Sequence, residues 1–258
     1  MRRRIARPLA QPVVVASYNL HGTQDNDSSR FPAIARELAA HRVDICGFQE
    51  VVKSETIEDT SYQVARYLSH LTGTRYHTYW AFCHPFYDRY PEGISILSRF
   101  PITSPSVIDL DVTLRRGAKP LMPRKALAAS IAVRGKRIIF VTLHLDHHRM
   151  AAVRTAQLTL LLRKLSSLYG IRGIQGTVVT GDFNASEWSS PLNLMKRRSF
   201  RDTYRLINGW GGNTFPSCSP SCRIDFILLK GRMKILNSYL ILKDSWMSDH
   251  AGVLSIIR

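Results

Sequence analysis

The chain has 258 residues, 45% of them hydrophobic, which is enough for one large globular domain with a sizeable core. Its 36 Lys and Arg residues exceed its 19 Asp and Glu residues, and the net charge of +17 predicts attraction to polyanions such as nucleic acid or acidic lipid head groups. No apolar run approaches the ~20 residues that cross a bilayer, which excludes a transmembrane helix, and four cysteines are too few for a disulfide-built scaffold.

The N-terminal residues are basic, but the apolar stretch of roughly 7–15 residues that a signal peptide requires does not follow them. We therefore interpret residues 1–11 as a basic tail and residues 12–258 as a single folded domain. A monomeric, cytoplasmic protein is favoured, while a secreted or membrane-peripheral location stays open. Cys218 and Cys222 are close enough in sequence for a local disulfide, but free thiols are the default expectation.

Strands and helices are mixed along the chain. In chain order the patterns predict a strand at 13–18, a helix from Ser28 or Ser29 to about 42, a strand at 43–48, a helix at 60–71, strands at 76–82, 93–97, 107–114, 126–133 and 136–145, a long helix at 150–168, a strand at 176–181, a short helix starting at 190, a loop at 208–221, and strands at 224–229, 235–242 and 252–257. This mixture, with its hairpin-like strand pairs, predicts two packed sheets with helices outside rather than a repeated βαβ barrel.

Short polar clusters follow or precede several of these apolar strands. Loops at one edge of a rigid sheet are where catalytic groups collect, and a purely structural domain has little need for so many of them. Asp182 with Asn184 would be an ordinary Asx turn if that cluster stood alone. The clusters are Asn19 with His21, Gln49 with Glu50, His144 with Asp146, Asp182 with Asn184, and Asp249 with His250.

The residue types in the clusters suit hydrolysis of a phosphate ester. Glu50 and Asp249 are hard oxygen ligands for a partly hydrated Mg²⁺ ion, which would polarise a phosphoryl oxygen and neutralise the leaving oxygen. Asp182 would position the attacking water. Asn19 and Asn184 would donate hydrogen bonds to the phosphate or to the water.

The histidines suit proton transfer or donation to the nonbridging phosphate oxygens near neutral pH. His144 and His250 are the two candidates. A histidine in this role needs a carboxylate to fix its tautomer, and Asp225 is the candidate partner of His250.

These residues lie in motifs that resemble those of the endonuclease/exonuclease/phosphatase superfamily. The ordered set spans nearly the whole chain and is specific, whereas a lone Gly-Asp-Phe-Asn would be weak. The resemblance implies an α/β (α+β) fold, a four-layer αββα sandwich of two mixed sheets flanked by helices, and hydrolysis of phosphoesters with Mg²⁺, for which Mn²⁺ could substitute. The motifs are Tyr18-Asn19, Gln49-Glu50, Gly93-Ile94-Ser95-Ile96-Leu97-Ser98-Arg99-Phe100-Pro101-Ile102, Thr142-Leu143-His144-Leu145, Gly181-Asp182-Phe183-Asn184, Arg223-Ile224-Asp225 and Ser248-Asp249-His250.

The resemblance also implies a role for each matched residue. Glu92 resembles the acid that supports the second histidine, here His144, and Arg124 stands where such enzymes often place a phosphate-binding arginine. Glu50, Asp249 and Asn19 would bind the metal, and Asp182 with Asn184 would orient the nucleophile. His144 and His250 would contact the phosphate, with Asp225 behind His250. Asn19 and Asn184 would also contact the phosphate.

The prediction of the substrate depends on less specific features of the sequence. Abasic-site endonucleases carry an acid where this chain has His21, so repair of abasic sites is disfavoured. The charge favours a nuclease acting on DNA, because basic residues supply sequence-independent phosphate affinity. The alternatives are a phospholipid phosphodiesterase of the sphingomyelinase or cardiolipin type at an anionic membrane surface, and a non-catalytic polyanion-binding module, which would not need the complete polar set.

Two further groups of residues have an open role. Arg115, Arg116 and Lys119 form a basic loop that is either a solvated turn or a substrate contact. The tryptophans near the motifs either stack on a base or belong to the rim or core of the fold. They are Trp188, Trp210 and Trp246.

Overall fold

A computed structural model of the chain describes residues 11–22, 28–87, 89–115, 117–170 and 174–258. In chain order its elements are β1 (Val13–Asn19), α1 (Arg30–Ala40), β2 (Ile45–Val52), α2 (Thr60–Thr72), β3 (His77–Phe86), β4 (Tyr90–Ser98), β5 (Ile102–Asp109), β6 (Lys125–Val133), β7 (Lys136–His144), α3 (Ala151–Tyr169), β8 (Ile174–Asp182), α4 (Ser190–Arg197), β9 (Arg201–Asp202), α5 (Thr203–Asn208), β10 (Asp225–Gly231), β11 (Ile235–Ile241) and β12 (Gly252–Ile257).

The strands form two six-stranded mixed sheets that pack face to face. Sheet A has the order β11-β12-β1-β2-β4-β3, and sheet B has the order β5-β6-β7-β8-β10-β9. Helices α1 and α2 cover the outer face of sheet A, while α3 and α4 cover the outer face of sheet B. The predicted αββα sandwich is therefore confirmed.

Strand periodicity explains why the sandwich has three apolar interfaces. Successive strand residues point to opposite faces of a sheet, so in β1 Val15 packs between the two sheets while Ala16 packs under the helices of sheet A. Phe140 of β7 joins Val15 in the central interface. Leu158 of α3 and Met195 of α4 belong to the interface on the outer face of sheet B.

One edge of the sandwich receives the polar clusters from both sheets. Strands β1 and β2 run parallel and end together, as do β7 and β8. Strands β10 and β12 run antiparallel to β8 and β1, so they begin where those strands end. We call the edge formed by these strand ends and their loops the polar edge. The topology alone thus brings distant parts of the chain to one place.

Close to the polar edge the two sheets are joined by polar contacts through the core. Gln49 Nε2 of β2 donates a hydrogen bond of 2.9 Å to Thr142 Oγ1 of β7. Gly47 makes this approach possible, because a Cβ at that position would lie 2.3 Å from Thr180 Oγ1 and 2.8 Å from Thr142 Oγ1. The sheets are therefore fixed relative to each other just below the clusters.

The predicted strand at 107–114 is wrong in its position. Strand β5 is Ile102–Asp109, and the residues from Leu110 onward form a loop. The run Thr103-Ser104-Pro105-Ser106 looks like a turn in sequence, but β5 lies at the edge of sheet B, where proline is tolerated. A bulge between Thr103 and Ser106 accommodates this run.

Other expectations differ in extent or fall outside the structure. The hairpin of β3 and β4 is longer than predicted, and β9 and α5 were not predicted at all. Cys218 and Cys222 are free thiols. Residues 1–10 of the proposed basic tail, and Arg116 of the basic loop, lie outside the described residues. In the part of the chain that the structure describes, no helix is long and apolar enough to cross a membrane.

Candidate active site

Asn19 lies at the centre of the polar edge and links the two sheets. Its Nδ2 donates a hydrogen bond of 2.9 Å to Glu50 Oε1 of sheet A and lies 3.5 Å from Asp182 Oδ2 of sheet B. Asn19 Oδ1 accepts a hydrogen bond from the backbone N of His21, which fixes the orientation of the amide. Three of the residues expected to form the site are thus in direct contact.

Glu50 is directed into the site by an irregular backbone. The pairing of β2 with β4 shifts between Phe48 and Val51, and Glu50 has a φ of +52°. Bulges of this kind often re-aim a side chain next to an active site. Burial and the nearby Glu92 carboxylate raise the pKa of Glu50 to about 8. A bound cation would relieve this repulsion.

Asp182 is held in place by its neighbours on sheet B. Its Oδ1 accepts a hydrogen bond of 2.7 Å from the backbone N of Asn184, and its Oδ2 lies 3.4 Å from His144 Nε2. Burial and the Asp225 carboxylate raise the pKa of Asp182 to about 7. A carboxyl group with this pKa can accept a proton from water near neutral pH.

His144 is neutral in this arrangement. Burial and the field of Arg124 hold its pKa well below the usual value, so its contact with Asp182 is not an ion pair. Asn184 Nδ2 lies 3.1 Å from His144 Nε2 and donates to the backbone O of Leu145 at 2.9 Å. The NH₂ group of Asn184 can only donate, so it donates to the Leu145 carbonyl and to His144 Nε2. Nε2 is therefore the unprotonated nitrogen of the His144 ring.

His250 has the opposite charge state. Its Nδ1 lies 2.8 Å from Asp225 Oδ2, and its Nε2 lies 3.7 Å from Asp182 Oδ2. Burial lowers its pKa, but the Asp225 carboxylate outweighs burial and the pKa rises to about 10. The expected pair of His250 and Asp225 is therefore in hydrogen-bond contact, and His250 is an imidazolium at neutral pH. The ring of Phe215 lies 4.8 Å away.

Glu92 does not contact His144, which the resemblance had suggested as its partner. Its Oε1 lies instead 3.3 Å from His84 Nε2, and both side chains are buried. No hydrogen bond or ion pair among the described residues joins Glu92 to His144. His84 was missed in the sequence because it follows the predicted strand 76–82. A bulge between Phe82 and His84 places it opposite Glu92.

Asp249 and His21 form the open side of the site. Their Oδ1 and Nδ1 atoms lie 3.4 Å apart. Asp249, like Glu92, also contributes to the raised pKa of Glu50, so the three carboxylates share one region. Hard carboxylate oxygens are ligands that Mg²⁺ prefers, while the Asn19 amide directs its nitrogen, not its oxygen, at Glu50. The residues present therefore fit a divalent cation.

A second acidic group has a different character. Ligand atoms of Asp182, Asp225 and His250 lie within 4.8 Å of one another. The hydrogen bond between Asp225 and His250 already uses one of these oxygens and Nδ1 of the imidazole. This group is therefore better suited to holding protons than to surrounding a cation.

Arg124 is buried at the polar edge on a loop that Asp146 organises. Asp146 Oδ2 accepts hydrogen bonds from the backbone N of Leu121 at 2.9 Å and of Met122 at 3.3 Å. Arg124 Nε lies 4.0 Å from Asp146 Oδ2 and has no hydrogen-bond partner among the described residues. The electric field of Arg124 reaches His144. Its guanidinium, whose Nη2 lies 3.5 Å from His147 Nδ1, thus contributes positive charge near His144.

Arg223 stabilises the loop that precedes Asp225 and does not itself line the site. Its guanidinium donates to Asp202 at 2.8 and 2.6 Å and to Glu187 Oε2 at 2.9 Å. Arg205 reaches the same Glu187 carboxylate. The motif that contains Arg223 gives no sign of this structural role, because the partners of Arg223 lie far away in sequence, on β9 and on the loop after β8.

The tryptophans with an open role belong to the rim. Trp188, Trp210 and Trp246 are 71%, 83% and 52% exposed, so none is a core residue. They lie in the loops that follow β8 and precede β10 and β12, all at the polar edge. Trp188 also packs against Lys196, whose Nζ lies 4.5 Å from the indole centroid.

Comparisons with known proteins agree with this arrangement. A model of the Endonuclease/Exonuclease/phosphatase family matches residues 16–250. A search of curated proteins gives no match. Among solved structures, an endonuclease/exonuclease/phosphatase family protein from Leptotrichia buccalis C-1013-b is similar, with a TM-score of 0.79 at 18% identity over 95% of this chain and 99% of that one.

Two other similar structures have more specific names. A mannosyl-6-phosphatase from Bacteroides thetaiotaomicron superposes with a TM-score of 0.71 at 22% identity, covering 95% of this chain and 99% of that one. A humanized D. rerio TDP2 superposes with a TM-score of 0.72 at 19% identity, covering 96% and 99%. At these identities the likeness shows the fold alone.

Proposed function

Because the chain belongs to the Endonuclease/Exonuclease/phosphatase family, we propose that it hydrolyses a phosphodiester with a divalent cation, and that its substrate is DNA. The observation that supports this most is the position of Asp182. Its carboxyl lies 3.5 Å from Asn19 Nδ2, 3.4 Å from His144 Nε2 and 3.7 Å from His250 Nε2. A water bound to Asp182 would thus lie beside the Asn19 amide and the His250 imidazolium, both of which can donate to a phosphate oxygen.

Asp182 orients the attacking water and accepts its proton. The hydrogen bond from the backbone of Asn184 fixes the carboxyl, and the pKa of about 7 matches proton transfer near neutral pH. The Asn184 amide, held by the Leu145 carbonyl, prevents His144 from turning away.

His250 and Arg124 stabilise the charge on the phosphate. The imidazolium of His250, oriented by Asp225, donates from Nε2 to a nonbridging oxygen, where positive charge is most effective in a buried site. Arg124 adds a second positive charge. The neutral ring of His144 lies beside the Asp182 carboxyl, with Nε2 3.4 Å from Oδ2.

Glu50 would be the principal ligand of the cation, with Asn19 and Asp249 beside it. Mg²⁺, or its substitute Mn²⁺, would polarise a phosphoryl oxygen and neutralise the leaving oxygen. Before it binds, Asn19 keeps Glu50 in position through its amide.

DNA is proposed as the substrate on two grounds. The net charge of +17 attracts a polyanion. The exposed rings of Trp188, Trp210 and Trp246 at the rim offer surfaces on which bases can stack.

Incubation of the protein with plasmid DNA, Mg²⁺ and increasing salt tests this proposal. We expect nicking that a chelator abolishes and that Asp182→Asn and His250→Ala reduce by about 10²–10⁴-fold. The exposed Asp109→Asn and His70→Ala are matched controls and should retain full activity. Full turnover in either active-site variant would disprove the mechanism. Absence of any metal-dependent hydrolysis would favour a non-catalytic polyanion-binding module.

A phospholipid phosphodiesterase is the second candidate, because exposed tryptophans also favour the interface of a bilayer. A panel of duplex DNA, RNA, sphingomyelin, cardiolipin and bis(4-nitrophenyl) phosphate separates the two. Hydrolysis of the model diester and of a lipid, without nicking of DNA, would replace DNA as the substrate and leave the mechanism intact.

A further inference from the structure

Eight exposed basic residues lie at the edge of the sandwich opposite the active site. Among the described residues, this edge consists of the turns that precede β1, β2 and β3, those that join β4 to β5, β6 to β7 and β10 to β11, the start of β8 and the end of β12. Nearly every one of these turns carries an exposed basic residue. We call this surface the basic edge, and it comprises Arg42, Arg75, Arg99, Arg134, Lys230, Arg232, Lys234 and Arg258.

Acidic residues hardly offset this charge. Within the described turns 41–44, 73–76, 99–101, 134–135 and 230–234, Asp44 is the one acid, and it is 4% exposed. Its carboxylate accepts hydrogen bonds of 2.8 Å from the backbone N of Val14 and from Arg99 Nη1. The buried acids of the active site lie at the other end of the strands. This end of the molecule is therefore strongly basic, with almost no acidic residue in its described turns to offset it.

The turns of the two sheets form one surface rather than separate patches. Arg134, in the hairpin of sheet B, donates to the backbone O of Pro12 at the start of β1 in sheet A. The backbone N of Lys234 donates to Arg258 O at 2.6 Å. Arg201 Nη2 donates to Met233 O, also at 2.6 Å, and joins β9 to the turn after β10.

An apolar cleft of about 870 Å³ opens on the basic edge. It lies between the last turns of α3 and the end of sheet B, far from the polar edge. Its walls combine the apolar side chains of Leu165, Tyr169, Ile174 and Phe200 with the basic residues Lys136, Lys230 and Arg232. Lys230 Nζ lies 5.4 Å from the ring centroid of Phe200, so charge and apolar surface meet within the cleft.

We propose that the basic edge docks the protein on an anionic lipid surface, with the cleft receiving an apolar part of a lipid. Several Lys and Arg side chains facing one plane are attracted by the negative potential of such a surface. Nucleic acid would match the charge but not the cleft, since it has no aliphatic chain. The polar edge then faces the aqueous phase. The surface that docks on the lipid is therefore separate from the surface that binds the substrate.

Flotation with vesicles of phosphatidylcholine, alone or mixed with phosphatidylglycerol, tests this proposal. We expect binding to the mixed vesicles only, and a loss of about tenfold or more in the triple variant Lys230→Glu, Arg232→Glu, Lys234→Glu. The matched control Lys53→Glu, Lys119→Glu, Lys243→Glu makes the same charge change at the polar edge and should bind within about threefold of the unaltered protein. Equal losses in both triple variants, or no binding to anionic vesicles, would overturn the proposal.

Two further measurements separate docking from folding and from nucleic-acid binding. Hydrolysis of bis(4-nitrophenyl) phosphate should be unchanged in the basic-edge variant, because none of its three residues lies near the active site. Leu165→Gln should weaken binding to mixed vesicles several-fold and leave binding to duplex DNA unchanged. If the unaltered protein does not bind vesicles and the basic-edge variant loses DNA binding, the basic edge is a nucleic-acid surface instead.

Discussion

Asp225 determines the charge of His250, and this has a measurable effect on the pH dependence of activity. With the carboxylate present the pKa of His250 is about 10, although burial alone would lower it. In Asp225→Asn the pKa should fall, so the imidazolium is lost as the pH rises through the neutral range. We expect kcat/KM of this variant to drop by about a hundredfold at pH 8 and to recover partly at acidic pH.

A pH–rate profile, together with NMR titration of His250, measures this effect. Asp109→Asn is the control and should keep the alkaline limit of the unaltered protein. An Asp225→Asn profile parallel to that of the unaltered protein at every pH would show that Asp225 has only a structural role.

As the proposed principal ligand of the cation, Glu50 should make cation binding depend on pH. Its pKa of about 8 means that a cation must displace a proton at neutral pH. Apparent Mg²⁺ affinity should therefore increase by up to about tenfold per pH unit below 8 and level off above it. Calorimetry in two buffers of different ionisation enthalpy should detect release of about one proton at pH 7. Pronounced binding in Glu50→Gln would contradict the assigned role.

The same pKa affects stability in the absence of a cation. A carboxyl whose pKa is raised on folding stabilises the fold fully below its unfolded value of 4.5, and this contribution is lost as the pH rises through about 8. The metal-free protein should therefore melt at a lower temperature at pH 8.5 than at pH 6, and added Mg²⁺ should reduce the difference. Thermal unfolding with and without chelator measures both effects.

At the scale of single residues, the sequence predicted which side chains would lie close together better than it predicted their individual contacts. Asn19, Glu50, Asp182 and His250 were all expected, and they converge because strand ends on two packed sheets meet at one edge. The pairing of Glu92 with His84 was not foreseeable, because it depends on a one-residue bulge that has no sequence signature.

At the scale of elements, Gly47 allows the two sheets to approach below the active site. In Gly47→Ala the new methyl group would meet Thr180 Oγ1 at 2.3 Å, so one sheet must shift. We expect a loss of about 1–3 kcal/mol in the free energy of unfolding. Urea denaturation measures it. Ala132→Val, at an exposed position of β6, adds volume without a clash and should be nearly neutral.

The elements themselves were predicted where the apolar pattern was regular. Strands β1, β7 and β12 follow alternating or continuous apolar runs, and their predicted positions agree with the structure. Strand β5 was misplaced because its edge position tolerates Ser104 and Pro105, and edge position is a property of the assembled sheet. Helix α5 was missed because it has only six residues, too few for a periodic pattern.

At the scale of the whole molecule, charge and chemistry occupy opposite ends. Composition predicted a polyanion partner but could not show which surface would meet it. The fold places the buried carboxylates at the polar edge, and it gathers eight exposed arginines and lysines with hardly any acid in the described turns at the other end. The net charge is therefore a weaker argument for the substrate than for a docking surface.

Strand β12 also determines when during synthesis the site can be assembled. It inserts between β11 and β1, pairing Ile257 with Val13, and the loop before it carries Asp249 and His250. During synthesis these residues leave the ribosome after every other part of the site. A nascent chain that already contains Glu50, His144 and Asp182 still lacks the imidazolium and the final central strand of sheet A. On the proposed mechanism, the site is therefore complete only after this strand has emerged and paired with β1 and β11.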